Sequence, residues 1–554
     1  MGAKIARLIG SAGSGKTTEL LRLMESALPG VGGDPHAIGL LSFTRAARQE
    51  AAERAASAWR LPVESLTRDG YIRTGHSVCY KQLDVQAGQM ITDKKADLEW
   101  LANGFGVRLS TSIDDDNGNQ VFIGDERVSW SLNAWNLHRV TLKPLDKIVE
   151  HLRRMGDECQ DITEVVSVAE KYESLKRLDD RYDFSDLLLR FAGIRCSPKH
   201  GIDKVTPEGE LPPVQAWLFD EQQDASPLLD AVCKRLISGP MVKWCYVVGD
   251  PFQSIYGFAG SSSECFLAWP AEKQRIMPKS YRCPAAILQF GEECLKKMSP
   301  SGGYFDRGVE PADHEGRVER LEDFEDIGSV IKGDEDWLLI ARTNYQASRL
   351  LGLCAALGIP ARSVKAPEEP TTRQRGLAAL YNLEKGGMVP GKDWAAAVSL
   401  LPIKDRAGEE CLTKGTKTRW KGNDETEQWD VVSLDDMEQI GGTKHLAGKI
   451  SSGDWQMLVD YGVNFRKAAV KYGLDRAMRP RIKTGTIHSV KGMEADNVIV
   501  LTTTSRRVED SARLSEEQSN EECRLAYVAA TRAKKRLVIV NEGGRTTPRM
   551  EALA

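Results

Sequence analysis

Two short segments carry residue types at spacings that suit phosphate chemistry. Gly10-Ser11-Ala12-Gly13-Ser14-Gly15-Lys16-Thr17, followed by Thr18, fits a complete phosphate-binding loop. Its glycines let backbone N–H groups turn into one concavity. Lys16 brings a positive charge to the β- and γ-phosphates, and the Thr17 hydroxyl reaches a Mg²⁺ ion. Leu218-Phe219-Asp220-Glu221 closes an apolar run. An aspartate there can hold Mg²⁺ through water, and the adjacent glutamate can polarise an attacking water. A plain glycine turn or a capping acid would account for either segment alone; the pair points to use of a nucleoside triphosphate.

Such residues need a strand before the loop and a helix after it. Ala3–Ile9 reads as that strand and Lys16–Ala27 as that helix. Ile38–Phe43 reads as a second strand, followed by an alanine-rich helix over Ala46–Ala58. Val214–Asp220 and Trp244–Gly249 are further short apolar runs. Buried strands alternating with helices predict a parallel sheet covered on both faces. From 81 to 181 the chain turns polar and helical in tone, with an acidic Asn/Gly turn at Asp114–Asn119, and reads as an insertion. A second α/β unit starts near Lys279, with strands predicted at Trp337–Ala341, Lys483–Ile487, Asn497–Thr502 and Arg536–Val540. Residues 365–480, rich in Lys, Gly, Asp and Trp without clear strand runs, read as a second, short insertion. No low-complexity tract or repeat interrupts this pattern.

The 554 residues suffice for about three or four domains. Apolar content of 41% and charged content of 28% are those of a globular protein. A net charge of −4 excludes a basic nucleic-acid coat but not a local basic groove. The eleven cysteines form no Cys-x-x-Cys pair, which argues against a zinc ribbon or iron–sulfur cluster and for reduced thiols in a cytoplasmic protein. The phosphate loop leaves no room for a signal peptide before it, and no apolar run reaches membrane-spanning length.

Asp220-Glu221-Gln222-Gln223-Asp224 resembles the DExxD segment of UvrD/Rep-like superfamily 1 DNA helicases, and the other motifs of that family follow in order. Ser42–Ala47 looks like its second motif and Thr74–Ser77 like the next DNA-contacting one. Tyr182–Leu188 resembles the segment leading back into the first motor domain. Val248–Phe258 is similar to the long third motif, Lys279–Arg282 to the fourth and Ala341–Asn344 to a following one. Thr484–Glu494 resembles the fifth and Glu522–Ala533 the sixth. The matches run from residue 10 to 533.

The resemblance implies an α/β protein with two RecA-like parallel-sheet motor domains, each carrying a mostly helical accessory insertion. The first motor would comprise 1–80 and 182–278, interrupted at 81–181. The second would comprise 279–364 and 481–554, interrupted at 365–480. It implies ATP and Mg²⁺ bound between the motors, with Thr17 and Asp220 toward the metal and Lys16 and Glu221 in catalysis. Gln253 would sense the γ-phosphate, and Arg282 and Arg532 would clamp it as arginine fingers. Tyr281 would stack on adenine and Glu494 would bind ribose. A planar guanidinium suits bidentate phosphate contact, although surface ion pairs are the alternative for both arginines. Phe43, Tyr256 and Phe258 are candidates for base stacking, with a core role open for Phe43. Thr44, His76, Arg342, Asn344 and His488 are further DNA candidates.

The implied activity is ATP-driven 3′-to-5′ movement on single-stranded DNA and unwinding at single-strand/duplex junctions, in replication, repair or recombination. A replication or repair protein stays open as a partner. Two rivals remain: a translocase with little unwinding of its own, and an ATP-gated binding switch. Three departures from the family pattern are visible. No glutamine segment that reads adenine precedes the phosphate loop, which leaves nucleotide selectivity either relaxed or supplied by residues elsewhere. Phe258-Ala259 stands where the third motif continues Trp-Arg. The chain ends soon after the sixth motif, with no fused nuclease expected. Within the second insertion, the basic run Lys414–Lys421 with Trp420 reads as a duplex contact or a solvated face. Ile440–Lys444 reads as a helix–hairpin–helix turn or an ordinary glycine loop.

Overall fold

The computed structural model describes residues 2–43, 45–113, 120–154, 161–331, 335–421 and 429–541. They form two compact units: Met1–Gly316 with Arg506–Thr531, and Arg317–Ser505 with the described residues from Arg532 on. Residues 279–316 and 506–531 therefore pack with the first sheet, although the chain order puts them beside the second.

The first unit is built on a six-stranded, all-parallel sheet. Its strands are β1 (Lys4–Gly10), β2 (Ile38–Leu41), β3 (Tyr71–Arg73), β8 (Ala216–Phe219), β9 (Trp244–Gly249) and β10 (Lys273–Met277), in the order β10-β1-β9-β8-β2-β3. Period-two alternation sends Leu8, Leu40, Leu218 and Val248 into one core and Ile9, Leu41, Phe219 and Val247 into another. Both faces are thus covered, which is why these strands read as unbroken apolar runs. Helix α1 (Lys16–Ala27) starts where Gly15 takes φ 77° and buries Leu20, Leu23, Met24 and Ala27 at helical spacing.

The insertion between these strands has its own core around Trp135, Ile148, Val165 and Tyr172. Four helices supply most of it, Lys95–Phe105, Glu126–Thr141, Leu145–Arg154 and Ile162–Leu178. The helical reading needs one correction: β4 (Leu109–Ile113) and β5 (Gln120–Gly124) pair as an antiparallel hairpin. The acidic turn expected at Asp114–Asn119 lies outside the described residues. A second hairpin, β6 (Ile194–Ser197) with β7 (Gly201–Lys204), follows the insertion.

The second unit repeats the plan. Strands β11 (Arg317–Leu321), β12 (Trp337–Ala341), β13 (Ala361–Ser363), β16 (Ile482–Thr486), β17 (Ala495–Leu501) and β18 (Ala533–Val540) form a parallel sheet in the order β11-β18-β17-β12-β16-β13. Its insertion packs Trp394, Trp420 and Trp455 into a separate core. Among its described residues, the segment read as lacking strands holds one short strand pair, β14 (Val389–Pro390) with β15 (Val431–Val432). The α/β class with two parallel sheets is the one expected.

Candidate nucleotide and DNA site

In open parallel sheets, ligands gather at the carboxyl ends of the strands. In the first unit every one of those ends carries a motif segment. The phosphate loop follows β1, Asp250–Gln253 follows β9, and Asp220-Glu221 follows β8. Phe43 follows β2, His76 follows β3, and Ser280–Arg282 follow β10. The strand register sets Ile9 beside Gly249 and Phe219 beside Val247, so these loops are neighbours.

The loop is shaped for an anion. Gly13 and Gly15 take φ 71° and 77°, where a side chain would be strained. A methyl on Gly13 would come within 2.4 Å of Arg282 Cβ. The Lys16 ammonium lies 3.4 Å from the Gly10 carbonyl at the start of α1. Ser11 Oγ and Ser14 Oγ are buried and meet no hydrogen-bond partner among the described residues. Hydroxyls left in that condition inside a glycine cradle fit a phosphate, which would satisfy them. Thr17 is half-buried and Thr18 exposed in the first turn of α1. Tyr281 is 70% exposed beside Gly15, as a stacking platform requires.

Asp220 is buried at the end of β8. Burial, reinforced by the charge of Glu221 and opposed by Lys16, pushes its carboxyl up to about 7. A cation at that carboxylate would reverse the shift. Glu221 is a non-glycine residue at φ 48°, a costly conformation of the sort found at functional sites. Its Oε2 accepts from Gln223 Nε2 at 2.6 Å, and Gln223 Oε1 accepts from the Asp250 N–H at 2.9 Å. Asp250 Oδ2 in turn accepts from Gln253 Nε2 at 2.8 Å. The acidic pair and the third motif are thus one hydrogen-bonded assembly. Arg282 is half-buried and donates to the Thr531 carbonyl at 3.4 Å.

Beside these loops, Phe43 stacks on Tyr256 with centroids 6.0 Å apart and planes 25° from parallel. Tyr256 meets Phe258 at 6.2 Å, and Phe258 is 60% exposed. Phe43 is therefore half-exposed and stacked rather than a core ring. His76 lines a cleft with Phe43, Ser185, Leu229 and Ser261. Burial lowers its pKa to about 4 against the pull of Asp183, so it is neutral at physiological pH. Thr44 lies outside the described residues.

In the second unit the predicted residues fall at opposite ends of the sheet. Arg342 and Asn344 follow β12 and His488 follows β16, all past carboxyl ends. Asn344 is exposed at the head of a helix capped by Thr343. Glu494 and Arg532 precede β17 and β18 and are held together: Arg532 donates to the Met493 carbonyl at 3.2 Å and its own carbonyl accepts from Ala495 at 3.1 Å. Arg532 is 1% exposed, which removes the surface ion pair as its explanation. Glu494 pairs with Lys534 at 2.5 Å. Trp420 of the basic run is buried and donates to the Ile440 carbonyl, so its ring is core and not a stacking face. Gly441 takes φ 88°, and a side chain there would strike Thr416.

Sequence reading missed Ser280, whose hydroxyl donates to the Ala12 carbonyl at 2.8 Å, and the buried trio Glu292, Arg307 and Tyr527. Tyr527 lies inside the sixth motif, which was the available signal; Arg307 has none. Among the described residues no group of three or more His, Cys, Asp or Glu side chains forms a metal site, and no helix is long and apolar enough to cross a membrane.

A phosphate loop at one strand end, with an acidic pair two strands away on the same parallel sheet, defines a phosphate-loop nucleotide-binding protein. The family is equally plain: the chain belongs to the UvrD/Rep-like helicases. Residues 3–274 match the UvrD/REP helicase N-terminal domain, and residues 464–542 match the UvrD-like helicase C-terminal domain. Over 369 residues the chain is 23% identical to the ATP-dependent DNA helicase PcrA of Staphylococcus aureus, covering 62% of this chain and 46% of that one. Over 300 residues it is 25% identical to a "Probable DNA helicase II homolog" of Mycoplasma genitalium, covering 52% of this chain and 40% of that one. The chain thus spans less than half the length of these curated relatives.

Proposed function

We propose that this chain is an ATP-driven motor on single-stranded DNA that separates strands at single-strand/duplex junctions, moving 3′ to 5′. The observation that carries the reading is one sheet end holding the phosphate loop, the Asp220-Glu221 pair, and the half-buried Tyr256 beside the exposed Phe258. Lys16 and the loop amides bind the phosphates. Glu221 orients the attacking water, Gln253 senses the γ-phosphate, and Arg282 offsets its developing charge. Arg532 takes the same role on its motif alone. Thr17 and Asp220 would hold Mg²⁺, which supplies charge neutralisation at the phosphate oxygens. Tyr281 stacks on the base and Glu494 takes the ribose. Phe43, Tyr256 and Phe258 stack on successive bases, a contact indifferent to sequence. Thr44, His76, Arg342, Asn344 and His488 complete the DNA path. A replication or repair protein as partner and a cytoplasmic location belong to the same reading.

The test measures ATP turnover with and without single-stranded DNA, alongside unwinding of 3′-tailed, 5′-tailed and blunt duplexes. Turnover should rise with DNA, and unwinding should favour the 3′ tail. Equal turnover with and without DNA overturns the reading, and preference for the 5′ tail overturns the polarity.

A further inference from the structure

Behind the phosphate loop lies a buried charged network that the proposed chemistry does not use. Arg307 is fully buried in a glycine-rich loop. Its Nη1 donates to Asp250 Oδ1 at 2.6 Å, and its Nη2 donates to Glu292 and, at 3.4 Å, to the Tyr527 hydroxyl. The guanidinium also lies 4.6 Å from the Phe252 ring centroid and 5.2 Å from that of Tyr527. The Tyr527 hydroxyl accepts from the Ala12 N–H of the phosphate loop at 3.1 Å and donates to Asp250 Oδ2 at 3.2 Å. Asp250 Oδ2 is the same atom that receives the Gln253 amide.

A buried ion pair is weak evidence for stability, because apolar side chains of equal volume hold a core as well. Here, however, the geometry is directional. The phosphate loop and the third motif are joined through one hydroxyl and one carboxylate. The four donors that reach Asp250 leave its carboxylate a single orientation: Arg307, Phe252 N–H, Gln253 and Tyr527. Burial raises the Glu292 carboxyl, while the surrounding acids hold Arg307 charged.

We propose that Arg307 and Tyr527 are positioning residues of the nucleotide site, fixing Asp250, and through it the Gln253 amide, in register with the phosphate loop at Ala12. This rests on the reading of Gln253 as the γ-phosphate sensor.

The full chain is compared with Tyr527→Phe, Arg307→Lys and Arg307→Gln, with Lys16→Ala as reference. The first readout needs no nucleotide: amide hydrogen exchange across the phosphate loop. Tyr527→Phe should speed exchange at Ala12 by about tenfold, the worth of one hydrogen bond, while strands β1 and β9 stay protected. The second readout is steady-state ATP turnover. Tyr527→Phe and Arg307→Gln should lower kcat by about tenfold with KM within about twofold, and Arg307→Lys should recover part of the loss. Should Tyr527→Phe fail to fold, Arg307→Gln carries both readouts. Loop exchange equal to that of the wild type overturns the proposal, as does a rise in KM with kcat unchanged. Wild-type turnover no higher than that of Lys16→Ala overturns the underlying nucleotide reading instead, and the exchange result still decides the hydrogen-bonded link.

Discussion

Replacing Arg139 with methionine would remove one cation from a buried cluster that fastens the helical insertion to the head of helix Phe184–Ala192. Arg139 is 1% exposed and reaches Asp183 Oδ2 at 2.8 Å, Asp186 Oδ1 at 3.3 Å and Glu173 Oε1 at 3.6 Å. Lys176 contacts the same three acids at 3.1, 2.7 and 3.0 Å. Two cations thus face three carboxylates, and in the variant one cation would face all three. Breaking a buried pair from one side costs about 3–5 kcal/mol. At about 1.5 °C per kcal/mol for a unit of more than 300 residues, the melting temperature should fall by roughly 4–8 °C. The loss should depend on pH. Burial and the charge of Asp183 raise the Asp186 carboxyl to about 6, above its ordinary value, so the folded state holds a proton that the unfolded chain releases. Ionising Asp186 therefore costs stability as pH rises through about 6. Asp183 is shifted the opposite way by Arg139 and Lys176, against its burial; its contribution is present at neutral pH and lost on strong acidification. Without Arg139 the excess negative charge grows, so the deficit should be larger at about pH 8 than at about pH 5.5. Urea melts of wild type, Arg139→Met and Arg139→Lys across that range would measure it, with the lysine variant retaining part of the stability. A deficit under about 1 kcal/mol at pH 8, or one that grows on acidification, would refute the reasoning.

Lys16→Ala should abolish ATP turnover while single-stranded DNA binding, read by fluorescence anisotropy, persists; near-normal turnover would remove the assigned loop. Glu221→Gln should bind nucleotide normally yet hydrolyse it poorly, because the carboxylate that orients water is gone. Parallel loss of binding and turnover there would indicate a folding defect. Phe258→Ala should weaken single-stranded DNA binding by about 1–3 kcal/mol irrespective of sequence, as titrations on different homopolymers would show. DNA-stimulated turnover should decline as salt rises, since phosphate contacts release counterions; a salt-independent response would point to another ligand.

What was legible in the sequence was whatever is buried on both faces. Trp337–Ala341 and Trp244–Gly249 form strands with the bounds read from their apolar runs, and Lys16–Ala27 forms the helix read from its spacing. Within the two six-stranded sheets, the four strands that escaped, β3, β10, β11 and β13, are the edges. Edge strands are short or charged, as Lys273-Gln-Arg-Ile-Met and Arg317-Val-Glu-Arg-Leu are, and so look like loops. The β4–β5 hairpin was hidden because its alternation lasts only five residues per strand inside a helical stretch. The strand read through Phe43 ends at Leu41, which releases Phe43 to meet Tyr256. At the candidate site, sequence reading singled out residues that had a motif around them. Arg307 was not among them, because an arginine between Asp306 and Gly308 reads as solvated, and only tertiary packing against Phe252 and Tyr527 buries it.

The claim that this chain is a motor on DNA is tested most directly by following translocation itself. Single strands of increasing length, labelled at one end, are preloaded with protein, and ATP is added with a trap for dissociated molecules. A motor predicts that the delay before the end-label signal grows in proportion to strand length, and that the delay vanishes in Lys16→Ala together with the signal. A signal whose timing is independent of length, in protein that hydrolyses ATP, would contradict the account.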